Sequence, residues 1–186
     1  MLGVVSVRLG RDAHPRPGTA RTDILAVKTE GQRPCIEVQV KTSRMVIRTS
    51  TATRKENGCW HLGDKDQLPA LSTYEWYALI LVDRDPMANA PRSFIVPRDH
   101  VAAAAWIGHM HWRTDKSVPP GRRNAPTDQA TVWVETFEGY RDKWELLDMP
   151  TDEVPVLLPE HYQDWAAEEG VGLPPEHPWT INMPEW

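Results

Sequence analysis

The sequence predicts an α/β fold, a central mixed β-sheet flanked by helices, followed by a proline-rich acidic C-terminal extension. Three observations predict it. Ile24–Lys28 and Cys35–Lys41 are apolar, β-rich runs separated by a polar turn that contains Gly31. Trp76–Asp83 is almost continuously apolar, the pattern of a strand buried on both faces. The segment HVAAAAWIGHMHW, ending at Trp112, reads as a helix that starts after Pro97 and carries Asp99 as an N-cap or first-turn acid.

Taken in order, residues 1–21 hold a short apolar run, Leu2–Val7, that suits a strand. A Pro/Gly/Arg loop then leads to Asp23. No helix is visible before Asp23, and Asp12 is the only acid there. The hairpin comes next. Its second run alternates strictly, with Glu37, Gln39 and Lys41 on one face and Ile36, Val38 and Val40 on the other. Gly31 can take the left-handed conformation that a three-residue loop needs. A turn centred there places residue 23 opposite residue 39. Directly opposed residues share a face, about 4.5–5.5 Å apart at Cβ. Asp23 then lies beside Gln39, with Lys41 one step along. A carboxylate, an amide oxygen and a lysine that converge in this way can hold Mg²⁺ and a water molecule. A one-residue slip would send Asp23 to the other face.

After the hairpin, Met45–Ser50 suits a third strand and Thr51–Gly58 a mobile loop. Arg44, Arg48 and the hydroxyls of Thr49, Ser50, Thr51 and Thr53 fit a groove for a phosphate backbone, or equally a solvated hairpin. Ser93–Val96 is a short partner for the Trp76 strand. Along the helix, Val101, Ala104, Ala105 and Gly108 form the apolar stripe. His109 and His111 stand two apart, so on a helix they do not share a face and do not chelate one ion. Thr114–Ala130 is a long polar loop with Arg122 and Arg123 placed to meet phosphate. Thr131–Val134 reads as a last strand. Phe137–Leu147 reads as a helix with Tyr140, Trp144 and Leu147 on its apolar face. These elements make up a domain over 1–149.

From Pro150 to Trp186 the composition changes to proline, acid and tryptophan, with a short helix expected inside Glu160–Glu169. Trp165, Trp179 and Trp186 are too apolar for a solvated tail, so the extension is expected to lie on the domain or on a partner. Charge is uneven along the chain. Residues 1–60 carry eleven Lys/Arg against five acids, and residues 145–186 carry ten acids with no Lys or Arg. The basic part is the part with the candidate site, which suits a phosphate-rich substrate. The acidic extension is placed to compete for that basic face.

The cysteines, Cys35 and Cys59, are not in CxxC spacing. A buried free thiol at Cys35 and a reducing, cytoplasmic compartment are the expectations. No run of eighteen apolar residues exists, which argues against a membrane span, and the N-terminal stretch lacks a signal-peptide pattern. Walker, GxGxxG, GxSxG and HExxH motifs are absent, as are the aromatic signatures of RNA-binding domains.

Asp23 followed by Gln39-Val40-Lys41 after a short hairpin resembles the D…(E/Q)xK core of the PD-(D/E)XK nuclease superfamily. The nearest likeness is to a small bacterial branch with a QVK strand. Trp76–Val101, WYALILVD…SFIVPRDHV, adds that branch's order of two further strands and a helix. The resemblance spans roughly residues 20–147. It implies a restriction-endonuclease-like sheet and metal-dependent hydrolysis of nucleic-acid phosphodiester bonds, with DNA the expected substrate and a homodimer possible. It further implies that Asp23, Gln39 and the Val40 carbonyl hold Mg²⁺ or Mn²⁺. Lys41 would orient or deprotonate the attacking water, with Glu37 assisting, and Arg21, Arg44, Arg48, Arg122 and Arg123 would meet the nucleic acid. Relatives more often carry Glu where this chain has Gln39, and they usually place a helix before the first strand that in some supplies a further acidic ligand. Two other readings fit the same residues. One is a nucleic-acid-binding or interaction module of the same fold without catalysis. The other is that Glu37, Gln39 and Lys41 are only the solvent face of an amphipathic strand.

Overall fold

The computed structural model describes residues 22–27, 35–50, 53–121 and 123–186, with the backbone alone of 46–50 and 53–57. The expected strand Leu2–Val7, the loop to Asp23, the Gly31 turn, Arg21 and Arg122 lie outside the described residues. So does the Arg48 side chain.

The core is a four-stranded mixed sheet of β1 (Ile24–Ala26), β2 (Ile36–Arg44), β6 (Glu75–Val82) and β7 (Arg92–Pro97), in the order β1-β2-β6-β7. Hydrophobic continuity puts β6 in the middle, where both faces are buried. Trp76, Tyr77, Leu79 and Leu81 are each almost inaccessible. β1 and β2 run antiparallel, β2 and β6 parallel, β6 and β7 antiparallel. The central strand, its short partner and the helix that follows therefore stand where the sequence places them.

Among its described residues, the crossover between the parallel strands β2 and β6 carries no helix. β3 (Val46–Ser50) and β4 (Thr53–Asn57) form a two-stranded antiparallel ribbon. Thr51–Gly58 is thus largely a strand, not a loop. Its alternation is hidden because Thr53–Asn57 is polar at every position, which leaves no hydrophobic period to read. β5 (Cys59–His61) then pairs with β8 (Thr131–Trp133). Gly58 leads into β5 against the sheet. A Cβ there would run into Leu81 Cδ1, so a larger residue would have to push that buried side chain aside.

α1 spans Arg98–Thr114. Its Val101, Ala102, Ala103, Ala104, Ala105 and Ile107 are all buried. Small side chains on so much of the surface allow close packing on several sides at once. Pro97 occupies the N-cap position. Asp99 lies in the first turn and accepts a hydrogen bond from Ala70 N at 2.7 Å, so it fastens a loop to the helix rather than capping the helix itself.

Phe137–Leu147 is not one α-helix. Two 3-10 helices, Val134–Tyr140 and Trp144–Asp148, are separated by Asp142 with φ of 51°. Asp142 Oδ1 accepts from Ser93 Oγ at 2.5 Å, and Asp142 N donates to Ser93 O at 2.8 Å. Contact with β7 overrides the local helical pattern. Cys35 is exposed just before β2, not buried within it.

Residues 150–186 pack onto the sheet domain. α2 (His161–Ala166) lies against α1, and Val154, Val156, Leu158, Tyr162, Val171 and Trp179 join the same core as the sheet. Trp106 Nε1 donates to Val171 O at 3.0 Å. His177 is fully buried, and its Nε2 donates to Asp99 O at 2.9 Å while its Nδ1 accepts from Trp179 N at 3.2 Å. Among the described residues no helix is long and apolar enough to cross a membrane.

Candidate functional site

Pairing of Ile24 with Val38, Leu25 with Glu37 and Ala26 with Ile36 fixes the hairpin register. One step outward, Asp23 N donates to Val38 O at 3.0 Å, the carbonyl of the residue already paired with Ile24, so the regular ladder expected from the sequence ends at Ile24 and Asp23 meets Gln39 through its side chain. The Asp23 carboxylate then turns back onto β2. Its Oδ2 accepts from Gln39 Nε2 at 2.5 Å and from Val40 N at 2.8 Å. Glu37, on the same face, accepts from Thr22 Oγ1 at 2.7 Å. Asp23 is exposed and Gln39 half-buried, so the mouth of the hairpin is open to solvent.

Neighbouring strands extend this face. Glu37, Gln39 and Lys41 are level with Glu75, Tyr77 and Leu79 of β6. The β6–β7 register adds Val96 and Phe94. The face is therefore polar at one end and apolar at the other. At the apolar end, the Trp60 ring meets Phe94 at 5.5 Å and Phe137 at 6.2 Å, edge to face. At the polar end, a chain of side chains leads inward from Lys41.

Lys41 Nζ lies 3.0 Å from both carboxylate oxygens of Asp66. Asp66 Oδ1 also accepts from the Tyr77 hydroxyl at 2.8 Å. Arg98 Nη1 donates to that hydroxyl oxygen at 3.3 Å, and Arg98 Nε pairs with Glu75 Oε2 at 3.4 Å. Arg98 further donates to Lys65 O at 2.6 Å and Leu68 O at 3.2 Å. Glu75 Oε1 accepts from Leu71 N at 2.7 Å and Ser72 N at 3.1 Å. Burial raises the Tyr77 pKa far above its ordinary value; the Arg98 charge opposes this and the Asp66 charge adds to it. The hydroxyl therefore stays protonated and donates.

Asp66, Glu75, Tyr77 and Arg98 were not singled out by the sequence reading. Glu75 and Tyr77 carry a signal: they continue the period-two polar row of β2 onto the next strand. Asp66 and Arg98 carry none, since one lies on an irregular segment and the other at a helix start.

The other expected residues are placed as follows. Arg44 ends β2 and, by strand alternation, points to the face opposite Lys41. Arg123 is half-buried in the loop that follows α1, where its N–H donates to Pro119 O at 3.3 Å. His109 and His111 diverge: His109 Nε2 meets Ala125 O at 3.2 Å, and His111 stacks on Trp165 at 4.0 Å with Nδ1 3.0 Å from Glu168. The acidic extension sits on α1, at Trp106 and His111.

The donor set at the hairpin mouth is hard oxygen: the Asp23 carboxylate, the Gln39 amide and the Val40 carbonyl, which leaves β2 on the same edge as the N–H that reaches Asp23. Such oxygens suit Mg²⁺ or Mn²⁺ in kind. Turning the Gln39 amide over would present Oε1 where Nε2 now meets Asp23. Among the described residues, no group of three or more His, Cys, Asp or Glu side chains is placed to hold a metal ion. Three comparisons with known proteins were made: no family model matches the chain, and no curated protein and no solved structure matches it.

Proposed function

We propose that the chain is a metal-dependent nuclease-like protein that hydrolyses nucleic-acid phosphodiester bonds, with DNA the expected substrate. The observation that carries this reading is the convergence of Asp23 on Gln39 and Val40, with Lys41 next along the same strand. In this reading Asp23, the Gln39 side-chain oxygen and the Val40 carbonyl hold Mg²⁺ or Mn²⁺. When bound, the ion polarises the phosphate and lowers the pKa of a coordinated water. Lys41, half-exposed at the end of the polar chain, directs an N–H at a non-bridging phosphate oxygen and offsets the charge that builds there. Glu37 lies on the same face, held by Thr22, and adds negative charge beside a site with one carboxylate.

The second reading is a nucleic-acid-binding or interaction module of the same fold without catalysis. A specific observation favours it: Asp23 is the only carboxylate that meets Gln39 and Val40 among the described residues, and two carboxylates hold Mg²⁺ better than one. One experiment separates the two. Plasmid and single-stranded DNA are incubated with wild type, Asp23→Ala and Lys41→Ala in Mg²⁺, Mn²⁺ or EDTA. The nuclease reading expects metal-dependent cleavage and a loss of about 100-fold or more in each variant. Cleavage that survives Lys41→Ala refutes it. Binding without cleavage, indifferent to metal, establishes the second reading.

A further inference from the structure

The polar chain behind Lys41 is costly to bury. Asp66, Glu75 and Arg98 are 8%, 6% and 2% exposed, and apolar side chains of similar volume would fill such sites at no loss of stability. Its formal charges are two acids, Asp66 and Glu75, and one base, Arg98. The set reaches neutrality only when Lys41 is counted, although Lys41 itself is 31% exposed. The geometry follows the charge. Arg98 and Glu75 hold each other and the backbone of 65–72, Tyr77 bridges Arg98 to Asp66, and Asp66 presents both oxygens to Lys41. The segment that carries Asp66 is itself fastened. Gln67 Nε2 donates to Leu62 O at 2.9 Å and Thr127 O at 2.7 Å, and Thr127 Oγ1 donates to Asp64 at 2.7 Å.

We propose that Asp66 is the positioning residue for Lys41, a rigid buried carboxylate that fixes the ammonium group above the hairpin mouth where a phosphate would lie. The inference rests on the nuclease-type reading of Asp23, Gln39 and Lys41 for its catalytic consequence. A lysine free on strand β2 would spread over many rotamers, and ordering it costs side-chain entropy. With both Asp66 oxygens 3.0 Å from Nζ, the ammonium group still has an N–H to give to a phosphate oxygen. Asp66 acts through Lys41 and need not touch substrate.

Two readouts test this, and the first does not depend on cleavage. An ammonium group held by a carboxylate exchanges its protons slowly enough to give a ¹H–¹⁵N signal, whereas a solvated one does not. Wild type is expected to show a lysine Nζ signal that Lys41→Met removes, which assigns it. Asp66→Asn should abolish or broaden that signal. It should also lower kcat for DNA cleavage at least tenfold with KM little changed, in protein whose circular dichroism shows it folded at the assay temperature. Asp66→Glu should restore part of both. Tyr77→Phe removes only the hydroxyl that orients Asp66 and should weaken both readouts less; it keeps the test open if Asp66→Asn does not fold. A Lys41 signal unaltered in Asp66→Asn and Tyr77→Phe overturns the proposal, and so does a lost signal with kcat unchanged. If wild type cleaves no DNA in either metal, the nuclease reading fails, while the Nζ signal still decides whether Asp66 holds Lys41.

Discussion

Arg98→Met is the sharpest test of what holds the polar end of the sheet together. The guanidinium is 3% exposed, pairs with Glu75 at 3.4 Å, and donates to the carbonyls of Lys65 and Leu68 and to the Tyr77 hydroxyl. Methionine fills a similar volume but leaves the Glu75 carboxylate buried at 8% side-chain exposure with no opposite charge beside it. Removing one partner of a buried pair costs about 3–5 kcal/mol, because the remaining charge stays desolvated. For a domain of this size that is a fall in Tm of about 6–20 °C. Glu75→Gln should be milder, since the amide oxygen can still accept from Leu71 N and Ser72 N. In the double variant the orphaned charge is gone. Urea denaturation of wild type, both single variants and the double variant closes a cycle, with an expected coupling of about 0.5–3 kcal/mol. A cost below about 1 kcal/mol for Arg98→Met, or strict additivity, would show that the pair does not stabilise this region as argued.

Three further outcomes follow from the same structure. Gly139→Ala should destabilise by about 1–3 kcal/mol in a chemical melt, because its Cβ would stand 2.5 Å from the Leu157 carbonyl oxygen, a backbone atom that cannot swing aside; a neutral effect would mean that the extension is not docked there. Deleting 150–186 should yield protein that binds a hydrophobic dye and aggregates, since Val154, Val156, Leu158, Tyr162 and Trp179 are part of the common core; a soluble, cooperatively unfolding 1–149 chain would refute this. Burial, reinforced by the neighbouring His177, pushes the His100 pKa down from 6.5 to about 3. Between those values the unfolded chain takes up a proton that the fold refuses, so stability falls as pH drops, by about 2 kcal/mol from pH 7 to pH 5 for this group. Denaturation midpoints at the two pH values, compared with His100→Gln, measure it, and an equal slope in the variant would count against the assignment.

The hairpin was legible because its information is local. Period-two alternation in β2 was enough to read the register in which Ile24 faces Val38 and Ala26 faces Ile36. β6, β7 and α1 were legible for the same reason, through a continuous apolar run, a partner strand and an alanine-rich stripe. The remainder depends on contacts far apart in sequence. Asp66 reaches Lys41 across 25 positions and Arg98 reaches Tyr77 across 21. β5 is three residues long and acquires its identity from β8, more than seventy positions later. The break at Asp142 coincides with its hydrogen bonds to Ser93, 49 positions earlier in the chain.

The seating of His177 on α1 bears on how the chain reaches its native state. Asp99 O waits for a partner 78 positions downstream, and Trp106 for one 65 positions downstream. Closing such spans costs chain entropy before any contact rewards it, so the sheet and α1 can collapse early while one flank stays bare. During that interval the apolar surface meant for Val171 and Trp179 is open to other chains. Docking of the proline-rich final segment is thus what covers that surface, and substitutions that slow it are expected to lower soluble yield during synthesis.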